Sequence, residues 1–235
     1  MTFQQQVLAD VAAFLAAATL AGLLARRRLS LSWAFASYLG AVLVCNRLCR
    51  WWPEQFYTSA FWSTKTALYA SLRALLAIEL ALLTFAALPR VRARALAIMA
   101  ALLAVTGALS LGRLMGHPDV EAVGVLGPRL QLAGLWMLAV VPALAARYRI
   151  PIHPFHRTIL VGLGLYLVVY AGLLAGVGLA AASRPSYLEA YSRLNTVDPL
   201  VYIASLGLWA WGAWRSPAPA AVGVVRVLQP WAPTR

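Results

Sequence analysis

Gln6-Val-Leu-Ala-Asp-Val-Ala-Ala-Phe-Leu-Ala-Ala-Ala-Thr-Leu-Ala-Gly-Leu-Leu-Ala25, followed at once by Arg26-Arg27-Arg28, decides the class of this protein. The run contains one charged residue, Asp10. It has the roughly 20 residues a helix needs to cross a hydrocarbon layer at about 1.5 Å per residue. The basic triplet stands behind the apolar run, and Met1-Thr-Phe-Gln-Gln-Gln6 before it carries no charge. A cleaved secretory leader has the reverse order. The order here fits a first helix inserted with its N-terminus outside, its arginines retained in the cytoplasm.

Working outward, further apolar runs occupy residues 31–49, 66–88, 95–113, 130–147, 158–182 and 198–214. Each approaches spanning length, and solid runs exclude a barrel, whose strands alternate in short segments. Helices satisfy their own backbone groups in lipid, which leaves them as the reading. The expected fold is an all-α, polytopic transmembrane bundle of seven spans over residues 1–214, with the N-terminus outside. Residues 215–235, with Pro217, Pro219, Pro230 and Pro233, form an irregular cytoplasmic tail. Polar residues crowd the ends of the second and seventh runs.

Composition agrees. Of 235 residues, 62% are hydrophobic and 11% charged, with a mean hydropathy of +0.75. Soluble domains carry about a quarter charged residues. A net charge of +13 suggests nucleic acid in a soluble protein, but no basic patch interleaved with aromatics stands outside the spans. In a membrane protein the excess reports orientation and attraction to anionic lipid.

The loop charges test the count. With loops numbered alternately from outside, the inner segments hold Arg26, Arg27, Arg28, Arg90, Arg92, Arg94, Arg147, Arg149, Arg157, Arg215, Arg226 and Arg235, and no acid. The outer segments hold Arg47, Arg50, Lys65, Arg113, Arg129, Arg184 and Arg193 against Glu54, Asp119, Glu121, Glu189 and Asp198. Adding or losing one span scrambles this alternation. Trp51, Trp52, Tyr57, Phe61 and Trp62 form an outer aromatic belt, and a short helix lying in the interface is expected there. Trp209, Trp211, Trp214 and Trp231 mark the inner boundary.

Few residues offer chemistry. Glu79 is read near the middle of the third span, where a carboxylate is a functional candidate or a protonated packing residue. Arg73 lies six residues earlier, about 9 Å along the helix and 120° around it, so the two cannot make a simple i,i+4 bridge. Arg73 is expected to snorkel past Tyr69 or to meet a carboxylate on another helix such as Asp10. Gly172-Leu-Leu-Ala-Gly176 reads as a helix-packing face.

Asp198-Pro-Leu-Val-Tyr202 matches the (N/D)PxxY string of rhodopsin-like receptors, but at the wrong end of the last span. Asp198 and Pro199 are read instead as N-cap and first residue of that helix. Lys65 is the sole lysine and precedes the third span, which excludes a retinal Schiff base in the last helix. His117, His153 and His156 fall outside the spans, so no haem or other cofactor is expected and no metal set assembles. His153 and His156 are placed where they can meet lipid phosphate. Cys45 and Cys49, four apart on one helix, are poorly aimed for a disulfide. No GxSxG, HExxH or Walker element is present, and no enzyme is expected.

Phe35-Ala-Ser-Tyr38-Leu39, the aromatic stretch around Trp51-Trp52-Pro53 and Tyr57, Leu72-Arg73 with Glu79-Leu80, Tyr148-Arg-Ile-Pro151 and His153-Pro154 carry a resemblance. They resemble a group of seven-span membrane proteins common in acidobacteria and related soil bacteria. The resemblance implies membership and nothing chemical, since the group has no activity to transfer; the expected location is a bacterial cytoplasmic (inner) membrane, crossed several times. The expected function is a non-enzymatic sensor or accessory subunit acting through lipid, a membrane-protein partner or a second copy. The alternative is a small-solute or proton-coupled carrier using Glu79.

Overall fold

The computed structural model describes residues 3–56, 58–116, 122–180 and 184–215. Eight α-helices occupy them: α1 (Phe3–Ala25), α2 (Trp33–Trp51), α3 (Pro53–Phe56), α4 (Ser59–Thr84), α5 (Pro89–Gly116), α6 (Ala122–Arg147), α7 (Pro154–Ala180) and α8 (Arg184–Trp214). A 3-10 turn at Leu29–Leu31 precedes α2. The described residues contain no strand. Five segments are long and apolar enough to cross a membrane: Gln6–Ala25, Ser59–Thr84, Pro89–Ser110, Arg129–Arg147 and Pro154–Ala180. That makes the chain a candidate multi-pass membrane protein. Helix α2, with Arg47 and Arg50, and helix α8, with Glu189, Arg193 and Asp198, pack alongside these five but carry more charge.

Helix neighbours close a ring. Helix α1 packs on α2, α2 on α4, α4 on α6, α6 on α7, α7 on α8, and α8 returns to α1. Helix α5 stands outside it, against α6 and α4. The long helices turn residues three or four apart toward the interior, the spacing that keeps side chains on one face. Ala12, Ala16, Thr19 and Leu23 do so on α1, and Phe35, Tyr38, Leu39 and Val42 on α2. The middle is aromatic: Trp209 on α8 meets the Phe35 and Tyr38 rings edge-on at 5.2 and 6.4 Å, and Phe35 meets Phe155 on α7 at 5.9 Å. The outer faces are apolar as well, with Phe14, Val44, Leu75, Val105, Leu109 and Leu165 exposed. Water would not tolerate so large an apolar surface, whereas lipid tails do.

The two ends differ in charge. At one, Arg28 Nη1 donates to the Gly212 and Ala213 carbonyls of α8 (3.4 and 3.2 Å), and Arg94 Nη1 donates to Tyr148 Oη (2.6 Å). His156 Nε2 lies 2.8 Å from the Leu31 carbonyl. These contacts gather the turns bearing Arg26–Arg28, the start of α5 and the α6–α7 turn onto one face. At the other end Asp10 pairs with Arg47 (3.2 Å) and Arg50 (3.0 Å), and Lys65 Nζ donates to Asn46 Oδ1 (3.1 Å). Both arginine-rich turns close in the same way. Arg27 and Arg149 each adopt φ of +53° two residues past the end of a helix, and the next amide reaches back five residues, Arg28 to Leu23 and Ile150 to Ala145. This is a Schellman cap with arginine where glycine is usual.

Several expectations change. Helix α4 runs from Ser59 to Thr84 rather than over 66–88, so its middle is Arg73, and Glu79 sits about a turn and a half from its end. Helix α8 starts at Arg184 and continues through Pro199, so Asp198 is no N-cap. Gly172 and Gly176 face open space. The close approaches are made elsewhere: a Cβ on Gly162 would fall on the Trp209 indole, one on Gly22 would lie 2.8 Å from Trp214, and one on Gly212 2.7 Å from Thr158. Trp209 is wholly buried, not a boundary anchor, while Trp51, Trp52, Trp62, Trp211 and Trp214 are exposed. In the aromatic stretch Trp51 ends α2, Phe61 and Trp62 belong to α4, and the four-residue α3 stands between them, beside the edge-on Trp51–Trp52 pair. Tyr57, His117, Trp231 and the tail beyond Arg215 lie outside the described residues.

Candidate functional site

Glu79 closes a helix. Ser32, with φ −167° and ψ 94°, is the N-cap of α2, and its Oγ accepts from the Phe35 amide. The same hydroxyl donates to Glu79 Oε2 (2.7 Å). Glu79 Oε1 accepts from the Trp33 amide (2.8 Å), and Oε2 accepts from the Ala34 amide (3.0 Å). The first amides of α2, which have no partner inside the helix, thus meet a carboxylate from α4 and a serine. The negative charge also faces the positive end of the α2 dipole. Glu79 and Arg73 do not meet, as their spacing requires.

Asp10 is equally committed, but to Arg47 and Arg50 rather than to Arg73. The pair is roughly half-exposed, so its contribution is small, about 0–1 kcal/mol.

Arg73 is the charge in the interior, with 3% of its surface exposed. Its Nη1 donates to Gln131 Oε1 on α6, and its Nη2 to Tyr38 Oη on α2 (3.2 Å). The guanidinium lies 5.4 Å from the Tyr38 ring centre and 5.6 Å from that of Tyr166 on α7, within cation–π range. Tyr69 stacks edge-on to Tyr38 at 5.9 Å, and Tyr202 on α8 leans on Tyr166 at 5.1 Å. Asp198 lies one turn before Tyr202 on the same face of α8, and its side chain hydrogen-bonds with Tyr166. Among the described residues no carboxylate is within ion-pair distance of Arg73. Arg73 Nε, Tyr69 Oη, Tyr202 Oη, Asp198 Oδ1 and Trp209 Nε1 are buried and make no hydrogen bond among the described residues. Five helices contribute to this cluster.

A guanidinium does not titrate in proteins, so the cluster holds a permanent positive charge and Arg73 cannot relay protons. It can orient polar groups, attract an anion, and fix the register of the helices around it. Sequence reasoning singled out Arg73 but missed Tyr38, Gln131, Tyr166 and Tyr202, and it gave Asp198 a capping role. The available signal was the Asp198–Tyr202 spacing, which puts both side chains on one helical face.

Neither a family model, a curated protein nor a solved structure matches the chain.

Proposed function

We propose that the chain is a non-enzymatic integral membrane protein with seven spans, its N-terminus outside and its C-terminus in the cytoplasm of a bacterium. It acts as a sensor or accessory subunit through contacts with lipid or another membrane protein, and we ascribe it to the seven-span group it resembles. The observation that carries this reading is the commitment of Glu79 to the first amides of α2 by three hydrogen bonds. The acid a proton-coupled carrier was expected to use is occupied in building the bundle. A carrier reading moves instead to Asp198, whose Oδ1 is buried with no hydrogen bond among the described residues.

Proteoliposomes with an imposed pH gradient separate the two. The contact reading expects dissipation no faster than in empty vesicles, and a lower melting temperature for Glu79→Gln. That loss corresponds to about 1–2 kcal/mol, the scale of a helix cap with a favourable charge. Flux abolished by Asp198→Asn, or by Glu79→Gln at an unchanged melting temperature, would replace the contact reading with a carrier.

A further inference from the structure

At the arginine-rich end the α1–α2 turn, the α6–α7 turn and the end of α8 enclose an open cavity of about 550 Å³. Arg28, His153, Arg157 and Arg215 line it together with apolar Val161 and Trp211, and none of the described residues that line it is acidic. Arg28 spends one nitrogen on the α8 carbonyls and keeps its other donors. Arg215 lies over the ring of Trp211, its neighbour in the lining, at 4.7 Å, within cation–π range. Arg157 is exposed, and no hydrogen bond or ion pair of its guanidinium to a described residue is found. The imidazole of His153 is pushed below its ordinary value by burial, and by His156 and Arg28 in the same direction, which is the effect of a positive field.

The apolar side continues out of the cavity. Val161, Leu165 and Val168 are more than half exposed and follow one another at intervals of four and three along α7, a row about 10 Å long. A basic lining that shares Val161 with an exposed apolar row matches one occupant, an amphiphile with a phosphate head and acyl tails. We propose that this cavity is a specific site for an anionic phospholipid, with the phosphate between Arg157 and Arg215 and a chain along Val161, Leu165 and Val168. Basic pockets between helices on the cytoplasmic side take anionic head groups for this reason. Residues 216–235, which follow Arg215, contain no acidic side chain to compete for it. The inference rests on the contact reading above and names one of its contacts.

The test compares phosphatidylglycerol with phosphatidylcholine of identical chains, using the full-length protein in mixed micelles and native mass spectrometry of the retained lipid. Wild type should retain phosphatidylglycerol on the order of tenfold better. The double variant Arg157→Gln, Arg215→Gln should lose that preference to within about twofold. Arg157→Gln alone, at an exposed position, should lose part of it. Melting temperatures in phosphatidylcholine should match wild type for both. Arg90→Gln with Arg92→Gln removes two exposed charges outside the cavity and should leave the preference intact. An equal loss in that control would overturn the site in favour of general surface attraction. So would a preference that survives the double variant, or protection by millimolar inorganic phosphate equal to that by lipid, which would make the ligand a soluble anion. Gradient-driven flux would sink the contact reading without altering any of these lipid comparisons.

Discussion

Two charges in apolar surroundings, Glu79 and Arg73, have opposite fates. Glu79 stands near the end of α4, where three donors from the start of α2 converge on it. Arg73 stands at mid-helix, where the solvation it gives up is replaced by a glutamine, a phenol and two aromatic faces. Removing a buried charge relieves several kcal/mol of desolvation, whereas orphaning its partners costs about 1–3 kcal/mol each. Arg73→Met should therefore leave the melting temperature within a few degrees of wild type, or raise it. A fall of more than about 10 °C would mean that the cluster is a structural lock. That each residue is unusual was legible, because a charge in an apolar run has few reasons to be there. Their partners were not, since Ser32, Tyr38 and Gln131 lie 47, 35 and 58 residues away along the chain.

Small residues divide by what faces them. Gly162 and Gly172 are alike in sequence, both on α7 and both among other small and apolar residues. Yet Trp209 rests against Gly162, with Ser205 Oγ donating to the Gly162 carbonyl at 2.9 Å, while nothing approaches Gly172. Gly162→Ala should destabilise by about 1–3 kcal/mol, the cost of overpacking against a rigid indole. Gly172→Ala should be neutral or slightly stabilising, since alanine is the better helix former. Thermal unfolding of the two variants checks this, and equal effects would contradict the packing of α7 on α8. Pro199 teaches a similar point. Asp-Pro reads locally as a helix start, but the helix passes through it because α7 packs along α8 and holds it in place.

At the scale of the whole molecule, arginines at one end and the Asp10 and Lys65 contacts at the other give the bundle a direction. The seven crossings proposed above would place the termini on opposite sides. A reporter that works only in the cytoplasm should therefore be active after Arg235, and an N-terminal tag should be reached by antibody in cells with a permeable outer layer. Termini found on one side would require an even number of crossings and would remove α2 or α8 from the membrane. The sequence by itself determined the helical class, the approximate positions of the long helices and the charged ends, because lipid demands long apolar runs with satisfied backbones. Tertiary structure alone decided that six helices form a ring with α5 outside, that Trp209 fills its middle, and that Glu79 caps α2. These depend on which apolar face meets which, and lipid-facing and core-facing residues have nearly the same composition, so periodicity in a membrane helix does not say which side is in.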